Sequence, residues 1–197
     1  SASWGTNFAV GRRDPLATLR PIAERIHADI DELFRVRGES EGVLPSNYTP
    51  FVDLPTISGD TPIVLQRVQT LLATREEWRV WQLLNVKYEI AHPKQPAEGL
   101  ELLDQVGPYA VFRMVYSLPR VWAVREAVVA ESPDDALRRV LVPSYHPGDT
   151  VVLEEPPEVG PLTRGERPEV RVEHYAPQRI VVWARASAPA VLVLSET

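Results

Sequence analysis

No cysteine occurs anywhere in the 197 residues. Its absence removes disulfides, thiolate zinc sites and cysteine nucleophiles from consideration. Lysine is nearly missing too, with only Lys87 and Lys94 against an arginine-dominated basic set, and there is a single methionine. Few asparagines and this arginine bias fit a heat-adapted or GC-rich source, which composition does not separate. Long apolar runs are absent: the longest, such as Ile180–Trp183 and Ala188–Leu194, are strand-sized and far short of the roughly 20 residues of a spanning helix. No secretory leader pattern opens the chain, so as given it reads as soluble, though a larger membrane-bound parent remains compatible.

Positive charge in excess is also lacking. The net charge of −6 argues against a surface that tracks phosphates, so no nucleic-acid partner is expected. The same balance gives no reason for docking on an anionic leaflet. Catalytic signatures are missing as well. No serine lies in a G-x-S-x-G elbow, and Gly5, Gly11, Gly38 and Gly42 do not space as a phosphate loop or a dinucleotide fingerprint. The histidines His27, His92, His146 and His174 are scattered without metal-ligand spacing. We therefore expect no catalytic residue, no metal and no cofactor.

What is present is a substantial hydrophobic fraction, 44%, enough to bury a core without staples. Nineteen prolines break the chain into short elements and favour turns and edge strands. Asp14-Pro15 reads as an N-cap and first-turn proline. Leu16, Leu19, Ile22, Ala23, Ile26 and Ile30 then recur at helical spacing, predicting a helix to about Glu32 that Pro21 restarts or kinks. Leu33–Arg37 alternates like a strand and stops at Gly38. Residues 39–60, rich in Pro and Gly, read as a long loop, and Asp60-Thr61-Pro62 as the start of a second helix.

Thr74 is expected to cap a third helix, with Trp78, Trp81 and Leu84 facing inward. A strand over 85–90 follows, and after Pro96 the pattern turns mostly β: strands over 100–105, 109–116, 120–129 and 150–153. A helix opened by Ser132-Pro133-Asp134-Asp135 interrupts them. Residues 156–168 form a Pro/Gly-rich connection, and strands over 169–175, 179–186 and 190–194 close the chain. The predicted class is α+β: short helices on a mixed or antiparallel sheet, with a C-terminal antiparallel, sandwich-like β segment. The expected division is 1–155 and 156–197, the latter either separate or part of the same domain.

Several local patterns invite chemistry. Asp29-Ile30-Asp31 matches the D-x-D that holds metal and sugar nucleotide in many glycosyltransferases, and His27 and Glu32 flank it. Residues i and i+2 of a helix do not face each other, so a solvated acidic face accounts for it better. Asp134-Asp135 is explained by capping, and neighbours such as Glu154-Glu155 point to opposite strand faces. Asn47-Tyr48-Thr49 fits the N-glycosylation pattern but is followed by Pro50. Among the tryptophans, Trp78 and Trp81 are expected in the core. Trp122 and Trp183, in strands, together with Tyr175, are the sites where a sugar ring would stack if any surface binds glycan, with core packing the stronger expectation.

Three stretches carry a resemblance: Leu83–Tyr88, Tyr116–Val121 with its Leu-Pro-Arg, and the terminal Ala190–Thr197. They occur in the order seen in the YfhO-like bacterial membrane proteins, which are similar to the GT-C class of lipid-sugar-dependent glycosyltransferases. The resemblance covers roughly residues 30–197. It implies an extracytoplasmic domain of a polytopic protein, partnered by the membrane-embedded remainder of the same polypeptide. It also implies possible contact with a cell-envelope glycan or lipid-linked sugar, and it transfers no catalytic residue. In that family the terminal strand is followed by more chain, so a trimmed sequence is implied at Thr197.

Overall fold

A computed structural model describes residues 14–29, 32–40, 42–45, 47–57, 66–74, 77–157, 162 and 166–196. The α+β class holds, with four short helices, one 3-10 turn and ten strands among the described residues.

Helix α1 (Pro15–His27) starts where the sequence places it, with Asp14 Oδ1 accepting from the Leu16 N–H at 3.0 Å. Pro21 sits inside one continuous helix instead of restarting it. The face formed by Leu19, Ile22, Ala23 and Ile26 is buried on the sheet beneath, and that packing outweighs the hydrogen bond Pro21 removes. The helix ends at His27, short of the predicted Glu32, when the Ala28 N–H turns back to the Glu24 carbonyl.

The sheet under α1 runs β1 (Arg35–Gly38), β2 (Val86–Ala91), β4 (Tyr109–Met114), β3 (Leu100–Val106). The β1–β2 pair is parallel and the other pairs are antiparallel. Strand periodicity sorts its two faces. Val36, Tyr88, Ile90 and Val111 pack under α1. Arg37, Glu89, Phe112 and Leu102 lie in register across the opposite face.

The long loop after β1 is largely a core element. A Cβ on Gly38 would collide with that of Leu44, so glycine lets the chain fold back and bury Val43, Leu44 and Leu54 with α1. Its 3-10 turn, Thr49–Val52, leaves Phe51 71% exposed. The predicted start of the second helix at Asp60-Thr61-Pro62 lies outside the described residues; α2 spans Gln66–Leu72 and α3 Glu77–Leu83.

Three two-stranded sheets complete the chain: β5 (Val121–Val124) with β10 (Val191–Leu194), β6 (Glu126–Val129) with β7 (Thr150–Leu153), and the hairpin β8 (Glu169–Ala176) with β9 (Arg179–Arg185). Helix α4 (Pro133–Leu141) lies between β6 and β7 in sequence, capped by Ser132 as predicted. Since β10 pairs antiparallel with β5, residues after 156 are stitched to strands before 155. Leu118, Trp122 and Val124 bury against Val151, Val191 and Val193.

Candidate functional site

The site with the densest chemistry is a groove of about 830 Å³ on the sheet face opposite α1. Its floor comes from the β-sheet through Arg37, Glu89 and Met114. One wall is α3, through Glu77, Trp78, Trp81 and Gln82. The other is the loop entering β3 and the end of β4, through Glu98, Gly99 and Tyr116.

Trp78 is 44% exposed and Tyr116 64% exposed, so two aromatic faces meet solvent here. Trp81 is half-buried against the Val80–Leu84 cluster. The inward placement expected for Trp78 therefore does not occur. In α3 the buried seam is set by Val80 with Leu84, and Trp78 stands about 200° around the helix from Val80. Each indole carries a guanidinium: Arg37 lies 3.8 Å from the Trp81 ring centroid and Arg79 lies 4.3 Å from that of Trp78. Arg37 also reaches Glu77 at 3.5 Å.

Gly99 shapes the second wall. It adopts φ +80°, and a Cβ there would sit 3.4 Å from the Tyr116 ring. Glycine takes this left-handed conformation without strain and keeps Tyr116 beside the loop. The Gly99 carbonyl accepts from the Val115 N–H at 2.9 Å.

Charge is concentrated at the floor. Lys94 Nζ stands between two carboxylates, 3.1 Å from Glu89 Oε1 and 3.5 Å from Glu39 Oε1. Glu39 also accepts from the His92 backbone N–H at 3.1 Å and meets His92 Nδ1 at 3.0 Å. These two bonds, the backbone one first, and then Lys94 push the Glu39 carboxyl down to about 2. Hydrogen bonds to the charged form are the physical cause.

A second cleft, of about 910 Å³, lies between the β8–β9 hairpin and β5 and includes His27, Phe34, Arg120 and Tyr175. Arg120, which lines it, belongs to a buried arginine pair with Arg35. Arg35 Nη1 donates to the Leu84 and Ser195 carbonyls at 3.0 and 3.1 Å. Arg120 donates to the Ser195 and Phe34 carbonyls, both at 3.2 Å. Glu196 approaches both guanidinia at 3.6 Å and accepts from the Tyr175 hydroxyl at 2.9 Å. Burial, and then the neighbouring Arg120, push Arg35 down to about 10. Because the donors are spent on backbone carbonyls of three distant segments, those of Phe34, Leu84 and Ser195, this pair reads as a structural tie.

The residues singled out from sequence are dispersed. Trp122 is 7% exposed and its Nε1–H donates to the Pro147 carbonyl at 2.8 Å, which is the core placement. Trp183 lies under the Arg171 guanidinium at 4.5 Å. Trp183 and Ile180, the partner of Tyr175, are three residues apart on β9, so the Trp183 and Tyr175 rings project from opposite faces of the hairpin. The three aromatics do not form one platform. Asp29 accepts from the Tyr88 hydroxyl at 2.8 Å and pairs with Arg113 at 3.2 Å, while Asp31 lies outside the described residues. Glu32 pairs with Lys87 and His27 packs edge-on against Phe34. Asp135 accepts from the Glu131 N–H and from Arg138 and Arg139; the Arg139 and Glu131 bonds hold its carboxyl below the usual range. Among the described residues no group of three or more His, Asp or Glu side chains is arranged to hold a metal.

The groove was missed from sequence because its members come from five separated segments. One signal was available: with Val80 and Leu84 taken as the seam of α3, Trp78 falls outside it.

No protein-family model, curated protein or solved structure matches the chain. No helix among the described residues is long and apolar enough to cross a membrane.

Proposed function

We propose that this chain is a non-catalytic accessory domain on the extracytoplasmic side of a polytopic bacterial membrane protein, YfhO-like and resembling a lipid-sugar-dependent glycosyltransferase. In this reading its Trp78–Trp81–Tyr116 groove contacts the glycan acceptor or the donor sugar. The observation that carries the glycan reading is the groove itself: exposed aromatic faces beside carboxylates and cations. Sugar recognition uses this combination, with apolar ring faces stacking on aromatics while hydroxyls bond to charged side chains. The family assignment rests on the sequence resemblance, and the acidic balance speaks against a nucleic-acid partner.

The test is a screen of the chain against cell-envelope glycans and lipid-linked sugar headgroups, run beside Trp78→Ala, Tyr116→Ala and Trp183→Ala. Saturable binding lost in the first two and kept in the third is expected. A folded chain that binds no glycan, or one that loses binding only in Trp183→Ala, overturns the groove assignment.

One observation favours a second reading, a structural or protein-interaction domain seated on the membrane helices or a partner. Leu192 and Leu194 are exposed along β10, whose one ladder partner among the described residues is β5. An open strand edge with an apolar face is a template for further pairing. Retained assembly of a parent protein bearing Trp78→Ala, with assembly lost in Leu192→Lys, is the outcome this reading expects.

A further inference from the structure

We propose that residues 92–99 form a hinged strap, latched shut by Lys94, whose opening extends the groove along the sheet onto Phe112. The proposal holds whatever the groove binds.

Topology places the strap. With the strands in the order β1-β2-β4-β3, the connection from β2 to β3 has to step across β4. Lys94, Ala97, Glu98 and Gly99 line the groove, so the crossing is made on the face opposite α1. On that face Ala91, Ala110 and Phe112 form a buried cluster with the half-buried Leu100. Phe112 pairs in register with Glu89 and Ala110 with Ala91, which sets all four on the same side of the sheet. Among the described residues no helix contributes to this cluster, and the crossing strap is its cover.

The strap is held lightly for a segment that covers a buried aromatic. Ala91 is fully buried, but all seven residues from 92 to 98 are exposed. Its ties to the sheet and to Glu39 are polar, beside one edge-on contact of the His92 ring with Tyr109. Lys94 Nζ reaches Glu89 and Glu39, and the His92 N–H donates to Glu39. A segment with so few buried contacts opens locally at less cost than the whole fold. Pro93 and Pro96 keep it stiff between its ends. Gly99, at φ +80°, serves as one hinge because it rotates without Cβ strain.

Glu89 makes Lys94 the latch. It is 3% exposed on the central strand β2, and a carboxylate held out of water needs a cation or several donors. Arg37 is engaged by the Trp81 face and by Glu77. Lys94 brings the compensating charge to Glu89 only while the strap is down. Closure and neutralisation of Glu89 are therefore one event, and opening uncovers Phe112 beside the exposed Tyr116 and Trp78.

Because the chain has no cysteine, thiol labelling reports the opening cleanly. Ala110→Cys places a thiol under the strap, and Val111→Cys places one under α1. In rising urea, labelling at position 110 is expected at least about tenfold faster than at 111 and nearly independent of denaturant, as local opening requires. Lys94→Met keeps the stem and removes the charge, and should speed labelling at 110 about tenfold while leaving 111 to follow global stability. Glu39→Gln should act in the same direction. The unaltered chain supplies a further measure: the His92 amide should exchange with solvent by local opening, well ahead of the amides of β2. Labelling at 110 with the urea dependence of 111, or unchanged in both Lys94→Met and Glu39→Gln, overturns the strap. A His92 amide as slow as those of β2 overturns it without any variant.

Discussion

At the scale of single residues, two side chains carry checkable consequences. Glu39 is ionised in the fold down to about pH 2, against an ordinary value near 4.5. A depressed carboxyl adds stability that is fully present above its unfolded value and is lost as pH falls from about 4.5 toward 2. Urea unfolding at stepped pH should show that loss, and Glu39→Gln should flatten the wild-type difference across this window; identical slopes would remove the proposed role of the His92 contacts. Asn85 is fully buried, adopts φ +56° and donates from Nδ2 to the Leu118 carbonyl at 2.6 Å. Asparagine tolerates the left-handed region better than alanine does. Asn85→Ala should lower unfolding free energy by about 2–3 kcal/mol, combining backbone strain with a lost buried bond. Asn85→Gly relieves the strain and should lower it by less. The sequence placed Asn85 at a strand start, but nothing local revealed that its amide reaches a loop 33 residues away.

Among elements, the helices show how far local signals extend. The capping patterns at Asp14-Pro15 and Ser132-Pro133 placed the starts of α1 and α4 correctly, because a cap is a contact between near neighbours. The Ser132 hydroxyl accepts from the Asp135 N–H at 3.2 Å, so Ser132→Ala should destabilise by about 1 kcal/mol in equilibrium unfolding. The end of α1 was less legible. Apolar periodicity ran on through Ile30, yet the helix stops at His27 because the chain must turn to enter β1. For α3 the misreading was of orientation. Seven residues make barely two turns, and which side faces the sheet is decided by the strands beneath it, leaving Trp78 to the groove. Ile26→Ala, by contrast, removes a fully buried side chain from the seam of α1 and should destabilise by about 2–5 kcal/mol.

Across the whole molecule, buried arginines join segments distant in the chain. Arg120 links the Phe34 and Ser195 carbonyls, and Arg35 links those of Leu84 and Ser195. Such charges are expensive to bury and worse to orphan. Arg120→Met should destabilise by about 3 kcal/mol, and a double-mutant cycle with Arg35→Met should be non-additive, since both hold the same carbonyl. Additivity would show that the two ties act independently. The sequence by itself determined the α+β class, two helix starts and the chain's acidic character, all of which follow from local periodicity, capping and composition, whereas the single strand expected over 120–129 is split into β5 and β6, which pair in different sheets. Only the tertiary structure decided that β10 returns to β5, that Trp122 is core while Trp78 is surface, and that Glu39, Glu89, Lys94 and Tyr116 share one groove. Those facts depend on contacts between residues far apart in the chain, and a linear pattern carries no record of which distant segments will meet.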